Sequence, residues 1–143
     1  MSSIWHKEYT IEEVNGRGQK TLVDHLDIRI TEILDSALSG TMPVDETTVQ
    51  PARILHGGAS CVLAESLGSI ASNMVIDSSK FIAVGQSISA NHLRPGLEGE
   101  TVLGIARPLH LGKKSQIWDI EIFNEKEKMI CSSRLTMAII EKK

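Results

Sequence analysis

Apolar and polar positions change their period twice along this chain, from strand-like to helical and back. Near the start, Thr10-Ile-Glu-Glu13 has the T-x-x-E spacing in which a Thr hydroxyl and a Glu carboxylate satisfy backbone donors reciprocally. A short helix is expected there, ended by Gly16 and Gly18, with a further single turn over Thr21–Leu26. Leu26–Ile30 and Ala37–Met42 alternate apolar with polar residues around Asp35-Ser36, which predicts two strands meeting at a turn, the second closed by Pro43. Residues 44–56 form a loop in which Pro51 forbids regular pairing. From Gly57 to Ile76 the period is helical, with Ala59, Leu63, Leu67, Ile70 and Met74 on one stripe. Four long strands follow. Ile82, Val84 and Ile88 are assigned to one face of the first, and Leu103, Ile105 and Leu109 to one face of the second. Trp118, Ile120 and Ile122 share a face of the third, and Cys131, Leu135, Met137 and Ile139 oppose Arg134 and Thr136 on the fourth. Gly96–Gly99, Gly112–Lys114 and Asn124–Lys128 supply the turns.

This order describes an α+β fold. One helix cannot cover both faces of a six-stranded antiparallel sheet, so the sheet is expected both to curl around it and to find a partner chain. At 143 residues, two separate cores would each be too small, and residues 1–143 read as one domain. Apolar residues at 41% and charged residues at 23% are ordinary globular usage. A net charge of −3 and only five aromatics (Trp5, Tyr9, Phe81, Trp118, Phe123) provide neither a basic field nor stacking platforms, so nucleic acid is not an expected partner. The segment Met1–Glu8 lacks a signal architecture, and the 57–76 helix carries four serines, Asn73 and a central glutamate, so no membrane span and a cytoplasmic location are expected. Cys61 and Cys131 sit in apolar runs and read as reduced, buried thiols.

Glu65 is the only charged residue among the twenty from Gly57 to Ile76. At 100° per residue it lies away from the Leu63/Leu67/Ile70 stripe, beside Gly58, Cys61, Gly68, Ser69 and Ser72. It is either the exposed carboxylate of a plain helix or a group desolvated in a cleft or interface, where its basicity rises. The small residues beside it suit close approach by protein or by a thin ligand. The helix also begins at Gly57-Gly58, where backbone N–H groups lack intrahelical partners and the dipole is positive, so an acyl carbonyl could be polarised near Gly57. About 12 Å of helix axis separates Gly57 from Glu65, too far for both to act on one carbonyl from a single chain. The spacing predicts a dimer.

His56-Gly-Gly-Ala-Ser60, nine residues before Glu65 in Ala64-Glu-Ser-Leu-Gly-Ser69, is joined by Thr41–Asp45, Gln50-Pro51, Asn91-His-Leu-Arg94, Pro108-Leu-His-Leu-Gly112 and Gln116-Ile-Trp118. Together these segments resemble the hotdog-fold acyl-CoA thioesterases of the 4-hydroxybenzoyl-CoA and phenylacetate-pathway branch, most of all its menaquinone-pathway members. The resemblance implies a curved antiparallel sheet of five to six strands wrapped around one long central helix, about residues 57–76. It further implies a homodimer assembling into a tetramer, and hydrolysis of an aromatic acyl-CoA, with a naphthoyl thioester as the candidate, no cofactor beyond the coenzyme A of the substrate and no metal. By resemblance, Glu65 is the catalytic carboxylate, as nucleophile on the thioester carbonyl or as general base for water, and the Gly57 N–H polarises that carbonyl. Gln50 and His56 position the thioester, and Ser69 orients Glu65 or a water. Plainer roles stand beside these: His56 as a helix cap, Gln50 as a loop amide, Ser69 as a small residue on a crowded face.

For the coenzyme A arm, the candidates are His92 and Arg94 after the first late strand and Lys113-Lys114 in a turn, because phosphates need mobile cations at a rim; the lysines read equally as a solvated turn. Thiolate is a good leaving group, so a carboxylate and polarising amides suffice, and the chain has no C-x-x-C, H-E-x-x-H or G-x-S-x-G motif. Two rivals remain: a hotdog dehydratase using His56 and Glu65, and a non-catalytic acyl-CoA-binding protein. The Gly-Gly and Gln50 context favours hydrolysis.

Overall fold

A computed structural model describes residues 2–143. In chain order the elements are α1 (Ile11–Gly16), α2 (Leu22–His25), β1 (Arg29–Ile33), β2 (Leu38–Pro43), α3 (Gly57–Val75), β3 (Phe81–His92), β4 (Thr101–Leu111), β5 (Ser115–Phe123) and β6 (Met129–Glu141). All six strands form one antiparallel sheet in the order β1-β2-β4-β5-β6-β3. α3 packs against β2, β3, β4, β5 and β6. Five strands spaced about 4.8 Å apart reach one helix only if the sheet bends round it, so the expected curvature follows from the contacts. Among the described residues no helix is long and apolar enough to cross a membrane.

Local chemistry sets the element ends. Thr10 Oγ1 accepts from the Glu13 N–H at 3.1 Å and starts α1, while the Glu13 carboxylate takes Lys7 Nζ at 2.8 Å and Arg17 at 3.4 Å. Those cations, Lys7 first, hold the Glu13 carboxyl below its ordinary value. β1 starts later than the alternation suggested, because Asp27 adopts a φ of 56° and turns the chain after α2.

The core lies between α3 and the inner sheet face, with Leu63, Leu67, Met74, Trp118, Ile120, Ile122, Leu135 and Met137 fully buried. On β5 and β6 the inward residues are those the alternation assigned. β3 and β4 differ: Ala83 faces in while Ile82 and Val84 face out, and Val102, Gly104 and Ala106 face in while Leu103 faces out. The reason is steric. The leucines of α3 need room, and the Leu67 methyls fill the positions that side chains on Gly40 and Gly104 would take. In addition, pairing of β3 with β6 shifts by one residue between Gly85 and Ser87, so Ile88 lies inside although Val84 lies outside.

The buried arc of α3 is also wider than one stripe. Gly68 lies under Leu135, and Ser72 Oγ donates to Gln116 Oε1 at 2.6 Å, an acceptor shared with Trp118 Nε1 at 2.9 Å. Gly68 and Ser72 therefore belong to the core and do not accompany Glu65 at the surface.

Candidate active site

The loop before α3 is pinned more firmly than its proline suggested. Thr48, 1% exposed, donates its hydroxyl to Pro43 O at 2.9 Å and offers its carbonyl to the His56 N–H at 2.8 Å. Gln50 Oε1 accepts from the Ala52 N–H at 2.5 Å, Arg53 turns the chain at a φ of 64° and pairs with Glu98, and isolated bridges join Val49 to Leu55 and Ile54 to Leu97. His56 is thereby delivered in extended conformation as the N-cap of α3.

The first turn of α3 then sorts its donors. His56 Nδ1 accepts from the Gly58 N–H at 2.8 Å, and His56 O accepts from Ala59 at 2.9 Å and Ser60 at 3.2 Å. Among the described residues, Gly57 N–H is the first-turn donor left without a partner. Because Nδ1 accepts, the neutral imidazole carries its proton on Nε2, a second outward donor. Both glycines have steric reasons: a Cβ on Gly57 would meet His92 Nε2 at 2.9 Å, and one on Gly58 would meet His56 Nδ1 at 2.9 Å. His56 thus takes the capping role that stood as its plain reading, while its other nitrogen stays available.

A cleft of about 450 Å³ opens at this helix start, and Gln50, Gly57, Ser60, His92 and Arg94 line it. Arg94 Nη1 donates to Met129 O at 2.6 Å and keeps its guanidinium at the rim. Glu65 is not there. It is half-buried two turns further along α3, against Gly85 of β3, and opens into a separate depression with Cys61, Ser66, Ser69 and Ile70. Ser69 Oγ lies 3.7 Å from Met137 Sδ instead of bonding Glu65. Cys61 is only half-buried, unlike the fully buried Cys131, and burial and then Glu65 push its thiol up. Lys113 and Lys114 occupy the β4–β5 turn, where Lys114 O accepts from the Ile139 N–H, at the opposite end of β6 from Arg94 and its Met129 partner. The structure does not bring them to the cleft of His92 and Arg94.

Three contributors escaped the sequence reading: Thr48, Asn73 and Gly85. A glycine inside a strand was the available signal for the last, since such a residue marks a bulge or a close approach. An apolar cavity of about 500 Å³, lined by Val14, Val23, Ile28, Ile70 and Phe81, adjoins the Glu65 depression through Ser69 and Ile70. No pattern in the sequence marked it, because its walls come from five separate elements, α1, α2, β1, α3 and β3.

A curved antiparallel sheet closed on one long helix is the hotdog architecture, and here an unpaired N–H at the helix start faces a cleft. The chain belongs to the thioesterase superfamily, whose family model matches residues 52–131. It is 50% identical over 137 residues to 1,4-dihydroxy-2-naphthoyl-CoA hydrolase of Escherichia coli (strain K12), covering 96% of this chain and 99% of that one. It is 44% identical to a proofreading thioesterase of Cronobacter turicensis, covering 96% and 98%. A mutant thioesterase from Pseudomonas aeruginosa superposes with a TM-score of 0.95 at 41% identity, covering 98% and 100%. The activity of this chain is hydrolysis of thioesters.

Proposed function

We propose that this enzyme hydrolyses an aromatic acyl-CoA at sites built from two copies of the chain. The observation that carries the reading is the separation of its two halves. The open Gly57 N–H faces one cleft and Glu65 faces another, about 12 Å apart along one helix. β3 supports the pairing: it is a twelve-residue edge strand, and a second β3 alongside it would continue the sheet and set one copy's Glu65 towards the other's Gly57. Ile82, Val84 and Ile140 form an outward apolar patch beside that edge, which supports further assembly into a tetramer.

In such a site the thioester oxygen accepts from Gly57 N–H, aided by His56 Nε2–H and the Gln50 amide. Glu65 attacks the carbonyl carbon or takes a proton from the attacking water. With Glu65 as base, collapse of the tetrahedral adduct breaks the C–S bond, releases the acid, and passes the proton held by Glu65 to the departing thiolate. With Glu65 as nucleophile, collapse expels the thiolate and leaves an acyl–Glu65 anhydride, which water then cleaves to the acid and the free carboxylate, its proton going to the thiolate. These groups need no metal or organic cofactor, and Ser69 lies one turn from Glu65 to hold the water. Arg94 and His92 flank the cleft for the coenzyme A phosphates. The apolar cavity beside Ser69 has room for a fused aromatic ring, so 1,4-dihydroxy-2-naphthoyl-CoA, the substrate in the E. coli relative's name, is the first candidate. Two free thiols, Cys61 and Cys131, fit a reducing cytoplasm.

A panel of benzoyl- and naphthoyl-CoA esters with a thiol reagent tests this. Free CoA should appear fastest with aromatic esters, and Glu65→Gln should lower turnover by about 10³-fold or more with the fold intact. Equal turnover of short aliphatic esters, or an active Glu65→Gln, would sink the proposal.

A further inference from the structure

Glu65 meets the edge strand at Gly85. Its carboxylate lies against Gly85, where an added Cβ would fall inside contact distance of Glu65 Oε2 and 3.2 Å from the carboxyl carbon. Gly85 has no positive φ, so space and not backbone conformation calls for glycine there. The strand is held in place on one side of this point. Asn73, two turns beyond Glu65, accepts from the Ala83 N–H at 3.0 Å and donates to Ala83 O at 3.0 Å and Ser69 O at 2.9 Å. On the other side a bulge begins: Gly85 pairs with Met137 and Ser87 with Thr136, leaving Gln86 as the extra residue.

That bulge has a geometric consequence for the two half-sites. Gly85 and His92 are seven residues apart, an odd number, and an unbroken strand would place them on opposite faces. With one extra residue between them, Gly85 faces Glu65 and His92 faces Gly57, both on the helix side.

We propose that Gly85 is a positioning residue, a bare stretch of β3 backbone on which the Glu65 carboxylate rests, kept by the Gln86 bulge on the same face as His92. The inference rests on Glu65 being the reacting carboxylate. Displacing that group by about 1 Å costs on the order of 100-fold in rate.

Gly85→Ala is therefore expected to lower kcat about 100-fold with KM changed by less than about threefold. In the Glu65→Asp background the carboxylate stops about 1.5 Å short of the strand, and adding Gly85→Ala there should cost less than about threefold. An equal loss in both backgrounds, or no loss beside Glu65, overturns the proposal. If Gly85→Ala does not fold, Gly85→Ala with Glu65→Ala should melt where Glu65→Ala alone does; a double variant that stays unfolded overturns it as well. Glu65→Gln separates the two claims. An active Glu65→Gln removes the catalytic reading itself, whereas an inactive Glu65→Gln beside a fully active Gly85→Ala removes only this inference.

Discussion

His56 caps α3, and in the proposed site the same side chain also serves the chemistry. Its Nδ1 caps the Gly58 N–H, which leaves the neighbouring Gly57 N–H as the open donor and turns Nε2–H outward. The helix dipole adds positive potential at the same spot, so in the proposed site a carbonyl oxygen gaining charge meets groups already in place. A second residue makes a statement about stability. Burial, with a smaller effect of Cys61, pushes the Cys131 thiol up from 9.0 to about 11. The folded chain then keeps a proton that the unfolded chain releases, so the stabilisation is complete below pH 9 and is lost as pH rises towards 11. Urea midpoints should fall between about pH 8 and about pH 10.5, and fall less in Cys131→Ala. Equal falls in both proteins would contradict the assignment.

Among the elements, α3, β5 and β6 were legible because each obeys one rule throughout. The helix keeps its 3.6-residue period over Ala59–Met74, and β5 alternates without interruption from Gln116 to Ile122. β3 and β4 were read with their faces inverted. The alternation was real, but size was a poor guide to direction: the leucines of α3 fill the space, and Gly104, Ala106 and Ala83 receive them. A one-residue bulge leaves no trace in an alternation made of Ile, Val and Ser, so the in-strand Gly85 was the one mark beside the phase change at Gln86. Gln50 and Gly57 were expected at the site from resemblance and His92 and Arg94 at a rim from their chemistry, while the clamp from Asn73 to Ala83 was not expected, since an asparagine late in a helix has many ordinary uses. Asn73→Ala removes both partners of a buried edge-strand residue and should cost about 1–3 kcal/mol in chemical denaturation. An unchanged midpoint would show that β3 needs no such tie.

At the scale of the molecule, one chain holds the proposed site as two separate halves. The cleft at the start of α3 has the open N–H, the amide and the arginine, and the depression midway along α3 has the carboxylate. A helix is too stiff to bring its own first and third turns together, so in the proposed enzyme a second copy completes the site, joining along the long free edge of β3. Mixing two inactive variants tests this division directly. Glu65→Gln and His56→Ala chains, unfolded and refolded together in equal amounts, should regain about a quarter of wild-type CoA release, because half the dimers are mixed and each mixed dimer has one intact site of two. Activity that stays at the level of the separate variants, in a mixture shown to exchange subunits, would place the whole site within one chain and contradict the account.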